Sequence, residues 1–139
     1  MFVSTFSEEV FKDGKYAYIN HENDATFVHG KVYRREFLIE NRIFWNSNLT
    51  IHEDSYFNYL CRACAKENRI KYCREVFYLW KYRADSVCRK DKKYLLKTMP
   101  NMISSTMALC EELIRRNMLE HAELISYSFI LNCYYDMQK

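Results

Sequence analysis

The residue types best suited to chemistry in this sequence are its thiols and its carboxylates. Six cysteines stand at positions 61, 64, 73, 88, 110 and 133. Cys61-x-x-Cys64 has the spacing of a redox dithiol or of half a zinc site, but neither chemistry is completed. A tetrahedral zinc site needs a second C-x-x-C or an H-x-x-x-H, and the sequence has neither. A reactive thiolate is favoured at a helix N-terminus, whereas this pair falls in the middle of a helical pattern. Met1 to Val10 carries two glutamates and no basic n-region, so no secretory signal is read and the cysteines are expected to be reduced thiols, mostly filling core. Phosphate chemistry is limited in a similar way. Gly14 and Gly30 are the only glycines, so neither G-x-G-x-x-G nor G-x-x-x-x-G-K-[ST] can be built. No Asp-x-Asp occurs, and the nearest pattern is Glu22-Asn23-Asp24.

The carboxylates Glu53 and Asp54 stand where a helix should begin. Phe57, Leu60, Cys61 and Cys64 follow at i, i+3, i+4 and i+7, which predicts an amphipathic helix over 53–67. Acidic residues in its first turn meet the positive end of the helix dipole. Ahead of it, Phe2–Phe6 and Tyr16–Ile19 have strand-type residues around the turn signal Lys12-Asp13-Gly14-Lys15, and Ala25–Val28 is a third strand candidate. Arg34 to Asn41 reads as a short helix, and 43–51 as a connecting loop. Beyond the central helix, Ile70–Cys73 and Glu75–Tyr82 read as strands.

From Lys92 the pattern is helical, with Pro100 expected to end or kink the first segment. Ile103, Met107, Cys110 and Ile114 mark one face of the next helix, and Asn117 lies near its end. Met118, Ala122, Ile125, Phe129 and Cys133 mark one face of the last. The expectation is an α+β fold: a small sheet from 2–28 and 70–82, a central helix, and a C-terminal helical hairpin whose apolar face docks on the sheet or on a partner. Residues 1–90 form the mixed region and 91–139 the helical tail.

Composition narrows the function classes. Apolar residues are 49% and aromatics 17% of 139 residues, enough for a packed core, so disorder is excluded as the main state. No apolar run is long enough to predict a transmembrane helix, and a cytoplasmic location is expected. The net charge of +3 is too mild to argue for nucleic acid by itself. The basic cluster Arg89, Lys90, Lys92, Lys93 and Lys97 lacks interleaved aromatics, so no nucleic-acid partner is expected.

One ordered set of segments carries more specific information. His29-Gly30-Lys31-Val32-Tyr33-Arg34-Arg35-Glu36-Phe37-Leu38 is followed by Ile43-Phe44, then by Leu49-Thr50-Ile51-His52-Glu53-Asp54-Ser55-Tyr56-Phe57-Asn58, then by Phe77-Tyr78-Leu79-Trp80-Lys81-Tyr82-Arg83-Ala84-Asp85-Ser86-Val87. This order resembles the acceptor-side, C-terminal half of family 2 glycosyltransferases of the GT-A type, which build bacterial polysaccharides. The resemblance covers residues 27–88, just under half of the chain. It implies that Asp54 is the general base on the acceptor hydroxyl, with Glu53 beside it to orient or cap. The chemistry suits a carboxylate: displacement at an anomeric carbon needs a group that removes the hydroxyl proton as the new bond forms. The resemblance also implies that Lys31 and Arg34 lie near the sugar diphosphate. Arg83 falls where many members carry His. Arg cannot ligate a metal but could hold a phosphate bidentately. His29, where the family often has Trp, could touch acceptor or phosphate. Trp80 and Tyr82 read as wall or core residues, and His52 as the residue that leads into the helix.

The same resemblance implies a nucleotide-binding layer with Asp-x-Asp and a divalent cation, Mn2+ or Mg2+. The residues present do not supply them, so this chain alone is expected to bind no metal and to hold nucleotide sugars weakly or not at all. Two functions of different class follow. One is hexosyl transfer from a nucleotide sugar to a hydroxyl acceptor, once a donor-binding half completes the site. The other is a non-catalytic interaction or assembly module built on a truncated scaffold. Either way a homo-oligomer or a protein partner is expected.

Overall fold

The computed structural model describes residues 1–24, 26–65, 69–84 and 94–137. The architecture is α+β. Strand β1 (Phe2–Lys12) is the hub of a four-stranded mixed sheet. It turns through Asp13 and Gly14, both at positive φ (52° and 76°), into β2 (Lys15–His21). That two-residue Asp-Gly connection matches the twist of a hairpin and sets the register Lys12↔Lys15 through Phe6↔His21. The two-residue β3 (Lys31–Val32) pairs antiparallel with Phe2 and Val3. On its other edge β1 takes β4 (Lys71–Trp80) in parallel.

Three strand expectations change. Thr26–Val28 is loop rather than strand, because the Asp24 carboxylate accepts from the backbone N–H groups of Thr26 and Phe27, 2.9 Å each, and from the Thr26 hydroxyl. That local capture removes the donors a ladder would use; Ala25 lies outside the described residues. The two strands expected at 70–82 are one, β4, which stays continuous by bulging. Its register slips between the Ser4↔Cys73, Thr5↔Val76 and Phe6↔Tyr78 pairs. The short β3 was not expected.

The helices are α1 (Arg35–Glu40), α2 (Glu53–Cys64), α3 (Tyr94–Arg115) and α4 (Leu119–Met137). Helix α2 starts where expected and ends at Cys64; Lys66 and Glu67 lie outside the described residues. Helix α3 runs through Pro100 without ending there. The α1 and α3 C-termini close alike. Arg42 (φ 50°) and Asn117 (φ 59°) are left-handed. Ile43 N–H reaches Leu38 O, and Met118 N–H reaches Leu113 O, at 2.8 and 2.9 Å. Both are six-to-one closures that satisfy the last carbonyls.

The main core cluster lies between α2 and the hairpin, while Val3 and Phe6 of β1 are buried apart from it. Tyr56, Phe57, Leu60 and Cys61 of α2 pack with Ile43 and with Leu109, Leu113 and Ala122 of the hairpin. The apolar face expected on α3 is therefore the wrong one. Ile103, Met107 and Ile114 are 42–57% exposed, while Ser105, Leu109 and Leu113 are buried. The face expected on α4 holds, with Ala122 buried and Ile125, Phe129 and Cys133 half-buried. Arg116 locks the elements together: it donates to Glu112 (2.6 Å), to the Arg42 carbonyl (3.0 Å) and to the Asn41 carbonyl.

Candidate functional site

The segment before α2 is held on both sides. Gly30, at φ 67°, accepts at its carbonyl from the backbone N–H and the hydroxyl of Ser4, 2.8 Å each. A Cβ there would stand 2.9 Å from Ser4 Oγ and 3.0 Å from Ser4 O, so only glycine fits this turn. From the other side, Asn58 of α2 is fully buried. Its amide donates to Thr26 O at 3.1 Å and accepts from the Tyr33 hydroxyl. One buried side chain thus ties both ends of the 26–33 segment to the helix that carries Asp54. A polar residue within the apolar stripe of 57, 60 and 61 needs buried partners; that was the sequence signal for Asn58, to which no role was assigned.

Helix α2 begins after His52, which is left-handed (φ 65°) and makes no side-chain cap bond. The His52 carbonyl instead accepts from Ser105 of α3 at 3.0 Å, so the helix start is fixed by the hairpin. Glu53 and Asp54 are the first two helical residues and not the cap. Both stand on the wall of a cleft of about 1330 Å³ between sheet, α2 and hairpin. Trp80 and Glu8 line it from the sheet, Tyr59 from α2, and His121 and Phe129 from α4.

The other residues singled out from the sequence divide into two groups. His29 and Lys31 lie close enough to Asp54 for its charge to act on both. His29 stacks on Tyr78 (4.8 Å, 6°) and lies edge-on to Phe6 (5.5 Å, 76°), with Trp80 at 5.2 Å. Burial lowers its pKa, against the pull of the Asp54 and Asp24 carboxylates, which favours the neutral ring. The Lys31 side chain is 1% exposed. Its ammonium donates to the Phe27 and His29 carbonyls and lies 3.7 Å from Asp24. Burial lowers its pKa too, with Asp24 and Asp54 opposing. Arg34 and Arg83 are exposed, at the start of α1 and beyond β4, and neither lines the cleft. Ser86 and Val87, Cys88 and the basic residues 89–93 lie outside the described residues.

The Cys61-x-x-Cys64 pair is held in the thiol form. Burial pushes the Cys61 thiol up to about 12 and raises Cys64 as well, so at neutral pH both are protonated. The described cysteines 61, 64, 73, 110 and 133 are free. Among the described residues no group of three or more His, Cys, Asp or Glu is placed to hold a metal ion. No described helix is long and apolar enough to cross a membrane.

What the arrangement offers chemically is three carboxylates, Glu8, Glu53 and Asp54, on the wall of a large, aromatic-edged cleft. Asp54 stands in the first turn of a 12-residue helix, at the end where the backbone N–H groups are free of intrahelical partners. Compared with family models, with curated proteins and with solved structures, the chain matches none.

Proposed function

We propose that this chain is the acceptor-side part of a GT-A type, family 2-like glycosyltransferase, working in the cytoplasm, with Asp54 as general base. The observation that carries the reading is the position of Asp54, in the first turn of α2 and on the wall of the 1330 Å³ cleft. An acceptor hydroxyl in that cleft gives its proton to the Asp54 carboxylate as its oxygen bonds the anomeric carbon. The bond from that carbon to the nucleoside diphosphate breaks in the same displacement. Glu53 shares the wall, and neutral His29 with the paired Lys31 supports the loop beneath it. The donor and its Mn2+ or Mg2+ belong to a nucleotide-binding layer covering the sheet, where Tyr18, Tyr72, Phe77 and Leu79 are 43–65% exposed.

The same exposed apolar sheet favours a second reading, a non-catalytic module that uses this scaffold to bind a partner. One experiment separates them. The chain is mixed with the donor-binding half, a UDP- or GDP-sugar and Mn2+, and transfer to hydroxyl acceptors is measured for the wild type and Asp54→Asn. The proposal expects a loss of about 10²–10⁴ in rate, with the fold intact. Asn cannot take the proton, and at the second helical residue it forfeits only a dipole interaction of about 0.3–1 kcal/mol. Equal transfer by both proteins, at equal melting temperature, rejects the catalytic role and leaves the interaction module.

A further inference from the structure

We propose that Arg62 of α2 binds an anionic group, a carboxylate or a phosphate, on the ligand that fills the cleft between sheet, α2 and hairpin. This takes the cleft to be a ligand site, but needs neither sugar transfer nor Asp54 as a base. Arg62 lines the cleft and is half-buried. Among the described residues no hydrogen bond or ion pair engages its guanidinium. The other cations that the fold draws inward are committed. Lys31 pairs with Asp24 and donates to the Phe27 and His29 carbonyls. Arg116 is held by Glu112 and by the Asn41 and Arg42 carbonyls. A guanidinium taken partly out of water without an acceptor is destabilised until an anion supplies one.

The two ends of the cleft differ in charge. Glu53 and Asp54 stand in the first turn of α2, and Arg62 follows Asp54 by eight residues, about 12 Å of helix rise. The sheet wall has matching ends. Glu8 of β1 pairs with Trp80 of β4 at one of them, and Val3 with Tyr72 at the other. His29 lies 5.2 Å from Trp80 and feels the Asp54 charge, so Glu8 and Trp80 belong with Asp54. Tyr72 then lies toward Arg62. On α4, His121 belongs at the Arg62 end as well. Its neighbour Ala122 shares a buried cluster with Cys61, the neighbour of Arg62. The carboxylates thus gather at one end and Arg62 with His121 at the other, with Tyr59 and Ile125 on the walls between them.

A ligand lying along α2 therefore meets hydrogen-bond acceptors at one end, aromatic and aliphatic walls along its body, and a guanidinium at the other. A carboxylate or phosphate fits the guanidinium fork through two parallel hydrogen bonds. About 12 Å of separation along the helix leaves its repulsion from Asp54 largely screened, since the Debye length at 0.1 M salt is about 10 Å. A neutral ligand would leave the guanidinium unpaired, and a cationic one would be repelled by it.

The test is titration calorimetry of the full chain with three probes that share an aromatic body: 4-methylumbelliferyl glucuronide, 4-methylumbelliferyl glucoside and 4-methylumbelliferyl phosphate. Glucuronide and glucoside differ only in a carboxylate against a hydroxymethyl group. The expected result is that an anionic probe binds at least tenfold tighter than the glucoside, and the tighter of the two anionic probes names the source of the anion. Arg62→Gln should erase that preference while leaving glucoside binding and the melting temperature unchanged. Arg62→Lys, which keeps the charge but not the fork, should retain part of it. Arg69→Gln, at an exposed position off the cleft wall, should retain all of it. Glucoside binding as tight as both anionic probes, a preference that survives Arg62→Gln, a preference lost equally with Arg69→Gln, or no binding of any probe at millimolar concentration would each overturn the proposal. Sugar transfer by the completed enzyme without an anion preference would sink this inference and spare the proposed function; an anion preference without transfer would do the reverse.

Discussion

At the scale of single residues, the polar core side chain Asn58 decides more than the charged ones. It replaces what would be an apolar contact with two hydrogen bonds that bracket the 26–33 segment. Asn58→Ala leaves the Tyr33 hydroxyl and the Thr26 carbonyl without this partner in a dry setting. The expected cost is about 1–3 kcal/mol, read as a drop in urea midpoint. Asn58→Asp supplies an acceptor for Tyr33 but no donor for Thr26, and buries a charge, so it should cost at least as much. If Asn58→Ala melts with the wild type, the segment is held by Gly30 and Ser4 alone. The contrast with Lys31 is instructive. The resemblance to family 2 glycosyltransferases implies that Lys31 lies near a sugar diphosphate. In the fold its ammonium is spent on the Phe27 and His29 carbonyls and on Asp24. Those partners, which include a carboxylate seven positions earlier, were not legible in the sequence.

At the scale of elements, periodicity located the helices but did not decide which face is buried. Helix α2 was legible from Glu53 onward because its only apolar stripe is also its buried one. Helix α3 carries two stripes. The one that reads as more apolar, Ile103, Met107 and Ile114, is exposed, while the buried one is diluted by Thr98 and Ser105. Ser105 is there to hold the His52 carbonyl, a reason no local pattern contains. Substitutions should report this assignment directly. Leu113→Ala, at 0% exposure, should cost about 2–5 kcal/mol because the cavity cannot collapse between α2 and α4. Ile114→Ala, 53% exposed, should cost under about 1 kcal/mol in dilute solution. Chemical denaturation of the two variants side by side checks it, and the reverse order would mean that the hairpin is rotated on α2. The sheet was legible where its pairing is local, in the Asp13-Gly14 hairpin. It was not where β4 joins β1 in parallel with slips in register, since a contact across some seventy residues leaves no periodic trace.

At the scale of the whole molecule, burial of two imidazoles ties stability to pH. Burial lowers the pKa of His29 from its ordinary 6.5, against Asp54 and Asp24, and lowers that of His52 against Glu53 and Asp54. In the unfolded chain both rings take up a proton as pH falls through 6.5; in the folded protein they resist until their lower folded values are reached. Across that window the unfolded state binds more protons, so stability falls as pH falls. A second loss follows at lower pH. Burial disfavours the Glu112 charge, but hydrogen bonds from Arg115 and Arg116 outweigh it and hold the carboxyl below its ordinary 4.5. Its stabilisation is complete above that value and is lost as pH drops through the folded pKa. The expected melting temperature therefore declines from pH 7.5 to 5.5 and again below pH 4.5. His29→Gln with His52→Gln should flatten the first decline and leave the second, whereas Glu112→Gln should do the opposite. A melting temperature constant between pH 7.5 and 5.5 would show that the two rings are hydrated in the folded state. The segment leading into α2, which carries His52, would then be open to water.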